Sequence, residues 1–264
     1  LGGCVIGLIL AAGRGHRLSE LTGSRPKCLA ELHGRSLLSR QLDLLSDAGV
    51  GDVAVVAGHE YEAVKALVGR RARLVRNEHY ASSNSLYSFW LARALLVDGF
   101  VVLNCDVVLH PQLLDDLLTC RHDAALLYGP PAPGQRYSDE EMKVHVRQGR
   151  VRAIRKTLPA GRVDGENVGV ARFERPAVAP LLDEVATLVS AGGIRQWLPA
   201  AFDAFAVRHE LYAIPTRGYP WTEIDSPDDY RHARDVVLPA IAGATPAARR
   251  PAPGAAAEGS VQHV

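Results

Sequence analysis

A glycine pair, a cluster of cations and two well-separated aspartates are the residues of this chain whose types and spacing suit phosphate chemistry. Gly13 and Gly15 stand in Ala11-Ala12-Gly13-Arg14-Gly15-His16-Arg17-Leu18, directly after an apolar run. Lacking a Cβ, such residues let the backbone turn sharply and bring its N–H groups against a phosphate. Arg14 and Arg17 add cations to the same loop. Lys27 follows in Arg25-Pro26-Lys27, where Pro26 stiffens the chain that presents it. Glycines and cations at the carboxyl end of a first strand make a grip for a triphosphate. A glycine pair also occurs in ordinary strand-to-helix turns. The loop lacks the third glycine of the dinucleotide fingerprint, and it is not the GxxxxGK[ST] loop either.

Asp106 closes the segment Val-Val-Leu-Asn-Cys-Asp. A carboxylate there caps the next turn, holds a metal, or binds a substrate hydroxyl, and open α/β sheets bind ligands at such strand ends. Asp225 lies in Gly218-Tyr-Pro-Trp-Thr-Glu-Ile-Asp-Ser-Pro-Asp-Asp-Tyr230. It is either a ligand or part of a helix start, with Asp225 or Ser226 as N-cap and Pro227 in the first turn. Spacing alone leaves both readings open.

The elements that must position these residues follow from periodicity. Strands are predicted over 4–12, 53–57, 73–75 and 100–106, with helices over 36–48, 61–67 and 85–96. This alternation predicts an α/β fold with a doubly wound, mostly parallel, Rossmann-like sheet. After residue 124 the pattern changes. Strands are predicted over 124–128, 143–147, 150–155, 168–173 and 211–215, with Gln148-Gly149 as a hairpin turn. Helices are predicted over 176–189, 194–205 and 228–242. The reading is one domain over 1–242, with a nucleotide-binding part to about 125 and an inserted hairpin region forming the acceptor side beyond it. The segment 243–264, rich in Ala, Pro and Gly, is expected to be disordered.

Composition narrows the function classes. Among 264 residues, 30 Lys and Arg balance 29 Asp and Glu, for a net charge of +1. No global basic field exists for gripping nucleic acid, so any anion must be held by local groups. The four cysteines are scattered without metal-type spacing, which points to reduced thiols in a cytoplasm. The run from Val5 to Ala12 is far too short to span a bilayer, so no membrane partner is expected. The chain begins with Leu1, so an upstream segment is compatible with the sequence.

The stretch LILAAGRGHRLSELTGSRPKCLAELHGRSLL resembles the opening signature of the sugar-phosphate nucleotidyltransferase superfamily, LAAGxGxRLxPLTxxxPKxLxxxxGxPLL. It departs at Glu20 and Ser36, where the pattern has proline. The resemblance implies a nucleotidyltransferase (GT-A-like) fold in which Asp106 and Asp225 hold Mg²⁺ against the phosphates of an NTP. It also implies that Lys27 steadies the charge developing on the α-phosphate and that Arg17 cradles the outer phosphates. Leu10, Ala11, Ala12, Gly13, Arg14 and Gly15 would then contact the nucleotide. In-line attack by an anionic acceptor needs positioning and charge neutralisation more than a general base.

NEHYASSNSLYSFWLAR resembles the segment N-x-x-Y-x-x-x-N-N-x-Y-S-L-W-L-A-R of the phosphocholine cytidylyltransferase branch and its phosphonate-activating relatives. Asn84 falls on the first paired asparagine and Ser85 replaces the second. Both become nucleotide-binding candidates, and CTP the favoured donor. The aromatic residues of the same helix read equally as buried core. The segment from Glu140 to Phe173 also resembles that branch, so Lys143, Lys156 and Glu166 are acceptor-binding candidates. Trp221 and Glu223 join them, with Tyr219 and Tyr137, as a cage that would suit a quaternary ammonium. The expected acceptor is a small phosphorylated or phosphonylated alcohol, with a sugar or inositol 1-phosphate as the alternative. A non-catalytic nucleotide-binding module is the competing class. Glycosyl transfer would not explain Arg25-Pro26-Lys27. Members of the superfamily often pair, so a homodimer is compatible with the resemblance, although no seam stands out.

Overall fold

Unbroken aliphatic runs demand cover on both faces, and every residue of the first strand, β1 (Ile6–Ala11), is buried. In the computed structural model, which describes residues 5–18, 23, 25–131, 137 and 139–243, the other strands follow in chain order. They are β2 (Glu31–Leu32), β3 (Arg35–Ser36), β4 (Val53–Ala57), β5 (Arg73–Arg76), β6 (Gly99–Asn104) and β7 (Val107–Leu109), then β8 (Ala124–Gly129), β9 (Lys143–Arg147), β10 (Arg150–Arg155), β11 (Gly165–Glu174), β12 (Tyr212–Pro215) and β13 (Trp221–Glu223). The α-helices are α1 (Leu37–Asp47), α2 (Tyr61–Val68), α3 (Ser85–Ala92), α4 (Pro111–Thr119), α5 (Arg175–Ser190), α6 (Pro199–Arg208), α7 (Pro227–His232) and α8 (Leu238–Gly243), the last two joined by a π-helical turn, Ala233–Val237.

The main sheet has the order β5-β4-β1-β6-β11-β8-β12-β10-β9. Its first four strands run parallel, as the strand–helix alternation predicts. Beyond β6 the sheet is mixed, with β8 and β12 parallel and the remaining pairs antiparallel. β9 pairs not only with β10 but also with β11, Gly165 opposite Val144 and Glu166 opposite Lys143, so the far half of the sheet returns on itself.

Alternate residues of β1 feed two cores. Leu8 and Leu10 join Phe89 of α3, Leu181 of α5 and Phe202 of α6 on one face. Ile9 and Ala11 join Leu42 of α1, Val64 of α2 and Leu114 of α4 on the other. At the centre of the first core Phe100 stacks on Phe173 and meets Phe89 edge-on, with ring centroids 5.4 and 5.2 Å apart.

Several elements depart locally from prediction, among them the helix predicted over 85–96, which ends at Ala92 in a 3-10 turn, and that over 228–242, which the π-helical turn interrupts. The strand predicted through Asp106 stops at Asn104, and Cys105 and Asp106 form a turn before β7. The helix predicted over 194–205 divides into a 3-10 turn, Gly193–Arg195, and α6, which opens at Pro199, where the missing N–H costs no helical bond. Helix α4, which the periodicity reading passed over, has Pro111 in its first turn and His110 as N-cap, the ring Nδ1 accepting from Gln112 N–H at 3.1 Å. The expected disordered tail lies outside the described residues, apart from Gly243. No helix among the described residues is long and apolar enough to cross a membrane.

Candidate active site

The turn at Asp106 and the antiparallel pairing of β7 with β13 build the centre of the site. Glu223 lies opposite Val107, and Ile224 N–H donates to the Asp106 carbonyl at 3.0 Å. Asp106, Glu223 and Asp225 each bring a carboxylate oxygen within 4.8 Å of the others. Lys27 reaches into this cluster from a 3-10 turn, Lys27–Leu29. Its Nζ donates to Asp106 Oδ2 at 2.8 Å and also pairs with Asp225 Oδ1. Arg17 meets the other oxygen of Asp225 at 3.1 Å. Gly15 makes room for this lysine: at its φ of +70°, an added Cβ would lie 2.5 Å from Lys27 Cβ. Around Gly13 the protein imposes no such limit, since a Cβ there would meet nothing within 4 Å.

The choice between cap and ligand at Asp225 is resolved by its neighbours. Ser226 is the N-cap of α7, and its hydroxyl and Asp229 form a capping box. Asp229 Oδ2 accepts from Asp225 N–H at 3.0 Å and from Ser226 N–H at 2.8 Å. The backbone of Asp225 is thereby held while its side chain turns to the cluster. Asp229→Ala is expected to cost about 1 kcal/mol of stability, read as a lowered Tm in thermal denaturation.

Burial alone would drive the Lys27 ammonium toward deprotonation, but Asp106 and Asp225 outweigh it and hold its pKa above the ordinary lysine value. Burial would likewise raise Asp225, yet Lys27 and Arg17 hold that carboxyl below the usual range. Glu223 makes no ion pair among the described residues, and Lys27 offsets only part of what raises it. Burial first, then the charges of Asp106 and Asp225, push it well above the usual carboxylate value. Asp106 Oδ1 is buried without a hydrogen bond. Three carboxylates with an uncommitted buried oxygen form the hard donor set that a Mg²⁺ ion takes. The residues present therefore fit that ion.

Two cavities meet at the cluster, sharing Arg17, Glu140, Glu223 and Asp225 as lining. The first, of about 320 Å³, is lined by Leu10, Ala12, Gly13, Gly15, Asn84 and Ser85 among the predicted nucleotide contacts. Ala11 and Arg14 do not line it. Ala11 packs into the core on the other face of β1, and Arg14 lies over the Tyr80 ring, 5.4 Å from its centroid. Asn84 and Ser85 also have structural duties. Asn84 Oδ1 accepts from Ser85 N–H, and Ser85 Oγ from Leu198 N–H, each at 2.8 Å. The second cavity, of about 830 Å³, is lined by Tyr137, Glu166, Tyr219, Trp221 and Glu223 among the predicted acceptor contacts. Trp221 packs against Gly129, where a Cβ would come 2.5 Å from its ring.

The two lysines read as an acceptor pair part company. Lys156 lines the first cavity rather than the second, 3.4 Å from Glu140 and 4.5 Å from the centre of the Trp197 ring. Lys143 lines neither. Its strand is paired on both sides, which buries the side chain, and its ammonium donates to the Lys156 carbonyl.

Residues 7–205 match the family of the MobA-like NTP transferase domain. The chain belongs to this family. Among relatives of this NTP transferase domain, the "Bifunctional IPC transferase and DIPP synthase" of Rubrobacter xylanophilus is 34% identical over 238 residues, 87% of this chain and 51% of that protein. The chain thus spans about half the length of that relative. Two solved structures share the fold. The CTP:phosphocholine cytidylyltransferase of Streptococcus pneumoniae superposes with a TM-score of 0.73 at 22% identity, over 88% of this chain and 98% of that one. The inositol-1-phosphate CTP transferase of T. maritima gives 0.74 at 20% identity, over 92% and 99%.

In this transferase domain the sequence reading missed the place of Glu223, taken for an acceptor contact alone. The signal was available as two acidic residues separated by one, Glu223 and Asp225, a spacing that puts side chains on one face wherever the backbone is extended. Trp197, 48% exposed at the mouth of the first cavity, carried no motif of its own. Glu166 shows how far the second cavity departs from neutrality. Burial, then Glu141, Asp225 and Asp229, push its carboxyl up to about 7. The folded chain then keeps a proton that the unfolded chain releases at lower pH, so stability falls as pH rises from the ordinary glutamate value toward 7. Glu166→Gln removes that loss. Without Mg²⁺, its Tm should gain on wild type between pH 5 and pH 8, by the equivalent of about 2 kcal/mol. A constant Tm difference across that range would contradict the shift.

Proposed function

We propose that this chain is a Mg²⁺-dependent cytidylyltransferase that moves CMP from CTP onto a small phosphorylated or phosphonylated acceptor and releases pyrophosphate. The observation that carries the reading is the meeting of two cavities at one cluster of Lys27, Asp106, Glu223 and Asp225. An acceptor oxygen arriving from the second cavity forms a bond to the α-phosphorus of a nucleotide in the first, as the bond to pyrophosphate breaks. Asp106, Glu223 and Asp225 would hold Mg²⁺, which when bound neutralises phosphate charge. Lys27 brings a fixed positive charge to the point where negative charge grows on the bridging and α-phosphate oxygens. Arg17, 59% exposed, is free to turn from Asp225 toward the outer phosphates. The nucleophile is already anionic, so no side chain is needed to take a proton from it.

For the acceptor, the second cavity favours a molecule with a positive nitrogen. Glu141, Glu166 and Asp229 line it beside Tyr137, Tyr219 and Trp221, and carboxylates with aromatic faces attract an ammonium group. The likeness to the T. maritima enzyme supports inositol 1-phosphate as the runner-up. Cys28, Cys105 and Cys120 are free thiols, in keeping with a cytoplasmic setting.

The test supplies each of the four NTPs with Mg²⁺ and a panel of phosphocholine, 2-aminoethylphosphonate, inositol 1-phosphate and a sugar 1-phosphate, and measures pyrophosphate. CTP with an amine-bearing acceptor is expected to give the highest kcat/KM. Absence of pyrophosphate with every pairing would defeat the proposal.

A further inference from the structure

The lining of the first cavity divides by charge. Its ionic groups, among them Lys27, Asp106, Lys156 and Asp225, gather around the metal-binding cluster, whereas residues 77–88 contribute Asn77, Tyr80, Ser83, Asn84, Ser85 and Ser88 and no charge at all. Triphosphate belongs with the first set, which leaves an uncharged polar wall for the uncharged base.

Within that wall the hydrogen-bond directions are determined. Asn77 is 1% exposed, and its Oδ1 accepts from His79 N–H at 2.9 Å. A backbone N–H only donates, so this contact fixes which way the amide faces. Asn77 Nδ2 must then donate to Ser83 Oγ at 3.1 Å and to Ser88 Oγ at 3.0 Å. Ser83 spends its own proton on the His79 carbonyl at 2.8 Å. Ser88, 4% exposed, has no acceptor for its proton among the described residues, yet it lines the cavity.

Resting on the cytidylyl reading, we propose that Ser88 selects the base: with its oxygen engaged by Asn77, its hydroxyl donates to the unprotonated ring nitrogen N3 of cytosine. Uracil carries a hydrogen on N3. Ser88 has a lone pair left that could accept it, but its own proton would then stay unmet in a buried site, which costs a hydrogen bond. Asn77 is the positioning residue and Ser88 the specificity-determining one. Motif spacing points to Asn84 and Ser85 at the start of this helix and gives Ser88, one turn on, no signal of its own.

Calorimetric titration with Mg²⁺ and CTP, UTP or inorganic tripolyphosphate tests this without knowing the acceptor. Wild type is expected to bind CTP more tightly than UTP. Ser88→Ala should weaken CTP roughly tenfold, leave UTP within about twofold, and leave tripolyphosphate unchanged. Ser88→Thr, which restores the hydroxyl, should recover most of the CTP affinity. Equal losses for CTP and UTP, or no loss for CTP, would overturn the assignment. So would a parallel loss of tripolyphosphate, which would make Ser88 a structural prop. A wild-type protein that binds tripolyphosphate but not CTP would instead sink the cytidylyl reading itself.

Discussion

Asp106→Asn is expected to lower kcat by at least about 10³-fold, since it removes one of the anionic oxygens on which charge neutralisation at the phosphates depends. Oδ1 of Asp106 is buried and uncommitted while Oδ2 holds Lys27, so both oxygens matter, one to a cation within the chain and one to a bound ion. An amide in the same place keeps the shape but offers a single neutral oxygen. Its NH₂ would face either the ammonium of Lys27 or the ion. The fold should survive, because Lys27 keeps its pairing with Asp225. Pyrophosphate release, measured across a Mg²⁺ titration beside a circular dichroism melt, separates the two effects. A kcat within tenfold of wild type would remove Asp106 from the metal site.

Lys27→Ala should lower kcat and kcat/KM together, by about 10²- to 10³-fold, as expected when a group acts mainly on charge that appears in the transition state. The lysine is buried and pinned between two carboxylates, so its charge is in place before the reaction begins. Removing it also leaves three carboxylates within 4.8 Å of one another with only the exposed Arg17, on Asp225, as a paired cation. The mutant should therefore depend more steeply on added Mg²⁺ than wild type does. If only the KM for CTP rises, Lys27 is a binding residue and the developing charge is met elsewhere.

How much of this was legible in the sequence depends on the kind of signal. Strand β4, Val53–Ala57, and the hairpin strands β9 and β10 have the predicted bounds, because apolar runs and a Gln-Gly turn are local signals. Both central turn residues, Gln148 and Gly149, have positive φ, as a tight two-residue hairpin requires. Lys27, Asp106 and Asp225 are legible from residue type and motif spacing, and Lys27 touches both aspartates. What escaped was non-local. Pairing of β7 with β13 joins residues more than a hundred positions apart, and nothing in either three-residue strand announces its partner. The same holds for Lys143: its charge suggested a ligand contact, but its strand gained a neighbour on each side and drew it inside. Asn77 looked like one polar residue in a loop, and its role rests on three hydrogen bonds no periodicity encodes.

The return of β9 onto β11 has a bearing on how copies of this protein can meet. A sheet that ends on an unpaired strand offers a row of free backbone groups to any other chain. Here the far half has closed on itself, so β5 is left as the open border of the main sheet. That border is four residues long and carries Arg73 and Arg76, both exposed. Two molecules docking there edge to edge would set arginine against arginine. Extension of the main sheet from one copy to another along this border is thereby disfavoured.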